Sequence, residues 1–338
     1  MGGGGLVDIR SIVYDVDLIT EHGYTYGLNG SLEDLTWDEP ESELSARASI
    51  TVANRPIGSS WLSSILKLNC IVRIYARFRG MSKTLVFEGT VWDWQYTSAT
   101  EQSIVLISYD ALIRLQQSRD FKYFSAGMTT QALIENICAD WGISVRYRWE
   151  HSITHEKKVF NAVRISDMIT DLLEEVRRKK KSKYVARLGL DGQLLITGYG
   201  MNETVYRFDR DNTVSTTNKL SMGRLVTRVK VIGKQDDDGR APIEAIVDGD
   251  LRFGVLQEII RRDGDATLED VMAEADAVID ERGTPEETVL TDVPDVPVVR
   301  KGDLVEMAAG NLLGFFYVEA VTHKEKTRRM VMTLSRAR

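Results

Sequence analysis

Histidine and cysteine are scarce in this chain, four and two among 338 residues. His151 and His155 are four apart, but the segment lacks the helix and glutamate of a zinc protease and offers no third ligand. A solvated polar loop is expected there. His22 precedes a glycine in a turn. His323, followed by Lys324, Glu325 and Lys326, reads as the end of a strand in an exposed hairpin. Cys70 and Cys138 lie in apolar contexts without CxxC spacing. They read as buried thiols in a reducing compartment, with an isolated disulfide as the alternative.

Long apolar runs are missing too. No stretch reaches the ~18 residues a membrane span requires, and no charged-then-apolar signal opens the chain. Leu6 stands where a myristoylation motif wants Ser or Thr, so Met1–Gly5 reads as a flexible leader. Basic charge is not in excess: the net charge is −7 and the pI near 5.4. Binding nucleic acid through counterion release needs a basic face. Neither a membrane nor a specific nucleic acid is expected as a partner, and the chain is expected to be cytosolic when made.

Catalytic signatures are absent as well. There is no Gly-x-Ser-x-Gly elbow, no phosphate-binding glycine loop and no dinucleotide fingerprint. Two carboxylates held ~5 to 9.5 Å apart can cleave glycosides. However, Asp15/Asp17, Glu174/Glu175 and Glu286/Glu287 are pairs in a chain with 50 acids and read as surface charge. Asp236–Asp238 lacks the distal glutamate of a calcium loop and reads as a polar turn. No catalytic residue, cofactor site or metal ligand is assigned, and the chain is not expected to be an enzyme.

What is present is strands. Apolar residues make up 43% and charged residues 28%, with six Trp and twelve Tyr, which is a folding composition. Over residues 6–110, Arg47–Val52, Ile71–Phe78, Leu85–Trp94 and Ser103–Ser108 alternate between turn residues, and helical character appears only around Ser59–Lys67. Short strands so punctuated suggest a barrel or sandwich. From Asp110 the texture becomes α+β. A Thr129-Thr130 start leads into Ala132–Trp141; Ser166 is a plausible N-cap for a helix to Lys181; and Asp191-Gly192 marks a hairpin. Strands return at Leu225–Gly233 and Ile243–Val247, then an amphipathic helix at Leu268–Arg282 closes at Gly283, and strands end the chain.

The fold class expected is α+β, mainly β, in three regions. Residues 1–110 form a first β-barrel-like domain and 111–200 a central α+β domain. Residues 201–338 form a second β-barrel-like domain with a helical insertion near 265–283. The two ends look alike. Ile71-Val72-Arg73-Ile74, the turn at Gly80 and Val86–Trp94 are similar to Leu304-Val305-Glu306-Met307, the turn at Gly310 and Phe315–Val321. In that register Val91 falls on Val318, Trp94 on Val321 and Ser108 on Ser335. An internal duplication is expected, with chance likeness of generic hairpins as the alternative. The basic run Arg177–Lys183 reads as a helix end whose cations complement the C-terminal dipole. Contact with nucleic acid or an acidic partner is the alternative, weakened because nothing aromatic is interleaved.

Several stretches resemble one family. They are Phe87-Glu88-Gly89-Thr90-Val91-Trp92, Ile107–Leu115, Thr129–Cys138, Phe253–Gln257, Arg300–Val305, Phe316–His323 and Met330–Leu334. In order and spacing they resemble the XkdQ-like hub proteins of contractile phage tails and defective prophages, over most of residues 70–338. The resemblance implies a structural baseplate hub in a virion or tail-like particle. Its homotrimeric ring adapts a sixfold tail tube to a threefold central spike. The implied partners are further copies of itself, the spike protein and the tail tube or tube-initiator protein, with the tape measure protein and baseplate wedge as further candidates. A tail-delivered cell-wall-acting enzyme or glycan-binding module, or another β-rich tail or secretion-system component, are the alternatives.

Overall fold

A computed structural model of the chain describes residues 12–78, 82–97, 102–149, 152–234, 239–262 and 266–337. The expected leader at Met1–Gly5, the turn at Gly80, His151 and Asp236–Asp238 lie outside the described residues.

Alternating side chains make the first set of strands. These are β1 (Val13–Ile19), β2 (Thr25–Gly27), β3 (Leu32–Glu39) and β4 (Arg47–Ala53). In β4, Ala48, Ile50 and Val52 are buried while Arg47, Ser49 and Thr51 face outward, the period-2 pattern of a sheet with one face on the core. A small hairpin, β5 (Pro56–Ile57) and β6 (Ser60–Trp61), leads to the single turn of α1 (Leu62–Ile65), which is all that forms of the helical character expected at 59–67. The meander β7 (Ile71–Arg77), β8 (Thr84–Tyr96) and β9 (Ser103–Tyr109) follows.

The middle of the chain is α+β, as its helical spacings imply. It comprises α2 (Ile113–Gln117), β10 (Arg119–Phe124), α3 (Thr130–Ala139), β11 (Val145–Arg148), β12 (Lys158–Arg164), α4 (Ile165–Lys180), β13 (Tyr184–Leu188) and β14 (Leu194–Gly198). Thr129 caps α3 by accepting from the Ala132 N–H. Ser166 does not cap α4: the helix starts two residues earlier than such a cap implies, with Arg164 at the N-cap and Ser166 buried in its first turn. Leu133, Ile134, Ile137 and Cys138 of α3 pack with Met168, Ile169, Leu172 and Leu173 of α4 in one core. Both cysteines are free and buried, and burial pushes the Cys138 thiol up to about 12.

Next come β15 (Tyr206–Asp209), β16 (Ser215–Ser221), β17 (Arg228–Ile232), β18 (Ile243–Asp248), β19 (Gln257–Arg261) and α5 (Leu268–Arg282). The chain ends in β20 (Glu286–Pro294), β21 (Leu304–Ala309), β22 (Leu312–Lys324) and β23 (Arg329–Arg336). The fold divides into two compact units. One holds the described residues up to Thr217 and from Leu290 onward, and the other is Asn218–Val289. In the second unit β17 pairs antiparallel with β18 and parallel with β19. Val271 and Ala275 of α5 cover Val226, Val229 and Val231, so the helix expected near 265–283 sits on a sheet of its own. A reciprocal box between Thr267 and Asp270 opens α5, and Gly283 closes it.

The fold is mainly β. A sheet of 13 strands runs β16-β20-β23-β22-β3-β4-β9-β8-β7-β1-β2, with β15 and β21 joined beside β22. Strands from residues 1–110 and from 201–338 therefore share one hydrogen-bonded sheet.

Candidate functional site

The middle strands of the two meanders, β8 and β22, are each 13 residues long. Ile71 pairs with Thr90 in the first meander, and Leu304 pairs with Tyr317 in the second, the positions that the sequence match puts together. Each middle strand then bulges at the matched residue, Trp92 in one and Glu319 in the other. The third strands agree one residue away from the sequence match: Val91 pairs with Ser108 and Val318 with Leu334, so Ser108 corresponds to Leu334 and not to Ser335. The loop inside the first hairpin is shorter in the second copy, between Ala309 and Leu312.

One edge of β22 serves two partners. Leu312–Tyr317 pair with β21, and Val321–Lys324 pair with Thr36–Glu39 of β3. This seam joins the second meander to β3, which reaches the first meander through β4, and a buried polar cluster fills it. His323 stacks on Trp37 with ring centroids 3.8 Å apart. Its Nδ1 lies 2.7 Å from Asp295 Oδ1 and its Nε2 lies 3.1 Å from the Val299 carbonyl. Tyr14 donates its hydroxyl to Asp295 Oδ2. Burial and the Asp295 charge push the Tyr14 phenol well above its usual value. His323 is fully buried, which corrects its expected place in an exposed hairpin. The His–Asp pair resembles part of a catalytic triad, but the second ring nitrogen faces a carbonyl and not a nucleophile.

Beside it lies a second buried cluster. Glu39 accepts from Arg300 Nε at 2.9 Å and from the Lys301 N–H at 2.8 Å. Lys301 Nζ reaches the Pro40 and Glu43 carbonyls at 2.9 and 2.5 Å. Arg300 also reaches the Leu188 carbonyl, and Arg187 reaches the Lys301 carbonyl and Asp303. Burial opposes the Glu39 charge, but Arg300 and Arg187 outweigh it and hold the carboxyl at about 2. Burial pushes Asp110 up to about 6, although Ser45 Oγ and the N–H groups of Ala46 and Leu112 all donate to it. Burial likewise draws Lys301 below the ordinary lysine range. Ions removed from water persist when each has partners, and here the partners come from three chain regions. The cluster therefore fixes β3, the β13 end and the 300–303 turn against one another.

The bulge residue Glu319 does similar work. Lys183 Nζ lies 2.6 and 2.7 Å from its two oxygens, Tyr199 donates at 3.0 Å, and Ser335 also donates. Lys183 belongs to the basic run, and Arg177 and Lys179 pair with Glu174 and Glu175. That run closes a helix C-terminus, where cations are favoured. His155 is buried, not solvated: Nδ1 lies 2.9 Å from Glu175 Oε2 and Nε2 lies 2.8 Å from Thr130 Oγ1. Among the described residues no cluster of three or more potential metal ligands occurs, and no helix is long and apolar enough to cross a membrane.

On the surface, the matched strand β8 looks different from β22. Trp92, Trp94 and Tyr96 are 41%, 37% and 37% exposed. At one end of the sheet path, every residue of β16 is exposed or half-buried. Exposed aromatics on strands are the composition of interface cores.

Comparison with known proteins agrees with this architecture. The chain is similar to the 43 kDa tail protein of prophage MuSo2 from Shewanella oneidensis (TM-score 0.70, 14% identity, 96% of this chain and 98% of that one). It is similar to the tail protein from Neisseria meningitidis MC58 (TM-score 0.67, 13% identity, 96% of each chain). It is also similar to prophage tail protein gp18 from Listeria monocytogenes EGD-e (TM-score 0.57, 16% identity, 96% and 94%). No curated protein matches the sequence. The resemblance to phage tail proteins read from the sequence therefore holds for the fold. A family model described as YQBQ-like matches residues 71–335, and the chain belongs to that YQBQ-like family.

Proposed function

We propose that this chain is the structural hub of a contractile-tail baseplate, a homotrimeric ring that adapts a sixfold tail tube to a threefold central spike. The two meanders, matched down to the bulges at Trp92 and Glu319, carry the proposal. A ring of three subunits with two like β units each offers six similar positions to a sixfold partner while keeping threefold symmetry. The regions 1–110 and 201–338 act as the two tube domains, and 111–200 as the central domain between them.

The role is architectural and not catalytic. The buried ionic groups are spent on one another and on carbonyls, so they make a stiff joint. The partners are further copies of the chain, the spike protein and the tail tube or its initiator, and the site of action is the baseplate of a virion or tail-like particle assembled in the bacterial cytoplasm. Mass photometry of the full-length protein and electron microscopy of tail particles containing it test the proposal. Trimers, and density with threefold symmetry between tube and spike, are expected. A strictly monomeric protein that never enters a tail particle would overturn it.

A further inference from the structure

The repetition continues past the meanders into the strands beside them. Next to β9 the sheet runs β4 then β3, and next to β23 it runs β20 then β16. The sheet path thus contains two four-strand runs in the same order, β16-β20-β23-β22 and β3-β4-β9-β8, joined where β22 meets β3. Burial repeats with the order. Val289, Thr291 and Val293 of β20 are buried, as Ala48, Ile50 and Val52 of β4 are.

The joint uses Val321–Lys324, and its matched residues in β8 are Trp94–Thr97. These lie beyond the end of β7, and among the described residues no strand pairs with their outer edge. The Thr97 N–H donates to the Ser103 carbonyl on the β9 side. Antiparallel alternation then turns the N–H and C=O groups of Trp94 and Tyr96 outward, where a partner strand would take them. The run that begins with β16 has an open edge as well. Among the described residues β16 has only β20 beside it; it contains no proline and carries one charge, Lys219, so it has few of the devices that protect an edge strand. Counting along the strands from the Val214–Asp292 and Asp295–Arg328 bonds sets Thr217 in the place that Trp37 holds in β3.

We infer that Thr216–Lys219 of one copy pairs antiparallel with Trp94–Thr97 of the next, so that the junction between subunits repeats the β22–β3 seam within each subunit. The occupant of both edges is thus a second copy of this chain. The contact is heterologous, the kind that closes into a ring. It rests on the ring proposed above and adds the strands that close it. Tyr96 then faces Thr217, and Gln95 faces Asn218 at a non-hydrogen-bonded position, where opposed side chains approach most closely.

The full-length double variant Gln95→Cys/Asn218→Cys tests this under mild oxidation, with each single variant as control; Cys70 and Cys138 are buried. Opposed Cβ atoms at such a position suit disulfide geometry. A ladder of covalent dimer and closed trimer in the double variant, absent from both singles, is expected. In parallel, Tyr96→Pro removes an outward N–H without touching a bond to β9, and is expected to abolish the trimer while leaving the unfolding midpoint near that of the parent. A double variant that trimerises but does not cross-link, or a trimer that survives Tyr96→Pro, overturns the strand pairing and leaves the ring standing. A protein that forms no trimer, either alone or in tail particles, overturns the ring, and the pairing with it.

Discussion

Trp37 and His323 sit directly opposite each other in the β3–β22 register, their rings 3.8 Å apart and within 9° of parallel. The stack covers one face of an imidazole whose two nitrogens are held by Asp295 and the Val299 carbonyl. His323→Phe keeps an aromatic ring against Trp37 but leaves the buried Asp295 carboxylate without its main partner. Removing one member of a buried pair costs about 3–5 kcal/mol. Urea unfolding followed by tryptophan fluorescence is expected to show a loss of that order for His323→Phe, and a smaller loss for His323→Phe combined with Asp295→Asn. Equal losses would mean that the His323–Asp295 contact adds nothing to the stack.

Asp110 gives the seam a pH dependence. Its folded value of about 6 lies above the ordinary 3.8 because burial disfavours the charge. Its contribution is therefore fully present below pH ~3.8 and is lost as pH rises through ~6, where the folded state must ionise a buried group. Between pH 5 and pH 7 the parent should lose on the order of 1 kcal/mol through this residue. Asp110→Asn is expected to flatten that slope in denaturation midpoints measured across the range. An unchanged slope would remove Asp110 as its source.

Glu39 acts in the opposite sense. Its carboxyl is held at about 2, below its ordinary 4.5, so its stabilisation is present above pH ~4.5 and is lost as pH falls through ~2. Glu39→Gln takes from the buried Arg300 and Lys301 their main counter-charge, leaving only the weaker pull of Asp110 and, for Arg300, Asp303, and should cost about 3–5 kcal/mol at neutral pH. Acid unfolding of the variant, monitored by near-ultraviolet circular dichroism, should be less steep between pH 4.5 and 2 than that of the parent.

Gly302 sets how closely the central region approaches the second β unit. Its φ is +90°, and a Cβ there would stand 2.4 Å from Val185 Cγ1. Gly302→Ala meets both backbone strain and overpacking, each about 1–3 kcal/mol. Gly302→Ala combined with Val185→Ala relieves only the overpacking and should recover part of the loss in thermal unfolding. Full recovery would assign the whole cost to the side-chain clash.

Much of the architecture could be read from local pattern. Val72, Ile74 and Ala76 alternate inward along β7 as their spacing implies, Thr129 caps α3, and Gly283 ends α5. The likeness of the two meanders was legible because Ile71–Ile74 and Leu304–Met307 keep their pairing partners as well as their composition. The one-residue error in the third strand comes from the bulges, which let two residues oppose one and so break any count along the chain. The same bulge hid His323. Phe316 and Val318 are buried before Glu319, whereas Val321 and His323 are buried after it, because an inserted residue exchanges the two faces of a strand. Three charged neighbours made the histidine look exposed, although its spacing from Val321 pointed inward. The seam itself had no signal in the sequence. Glu39 and Arg300 are 261 residues apart, and nothing local to either announces the other.

The double use of the β22 edge also determines how the molecule bears force. A strand that bonds β21 with its first half and β3 with its second half joins the two β regions by backbone hydrogen bonds arranged side by side. Tension along that strand meets those bonds in shear, where several must fail together, and not as a zipper opened one bond at a time. A pull on the second β region thus passes into the first through the sheet itself, as along a spliced cable.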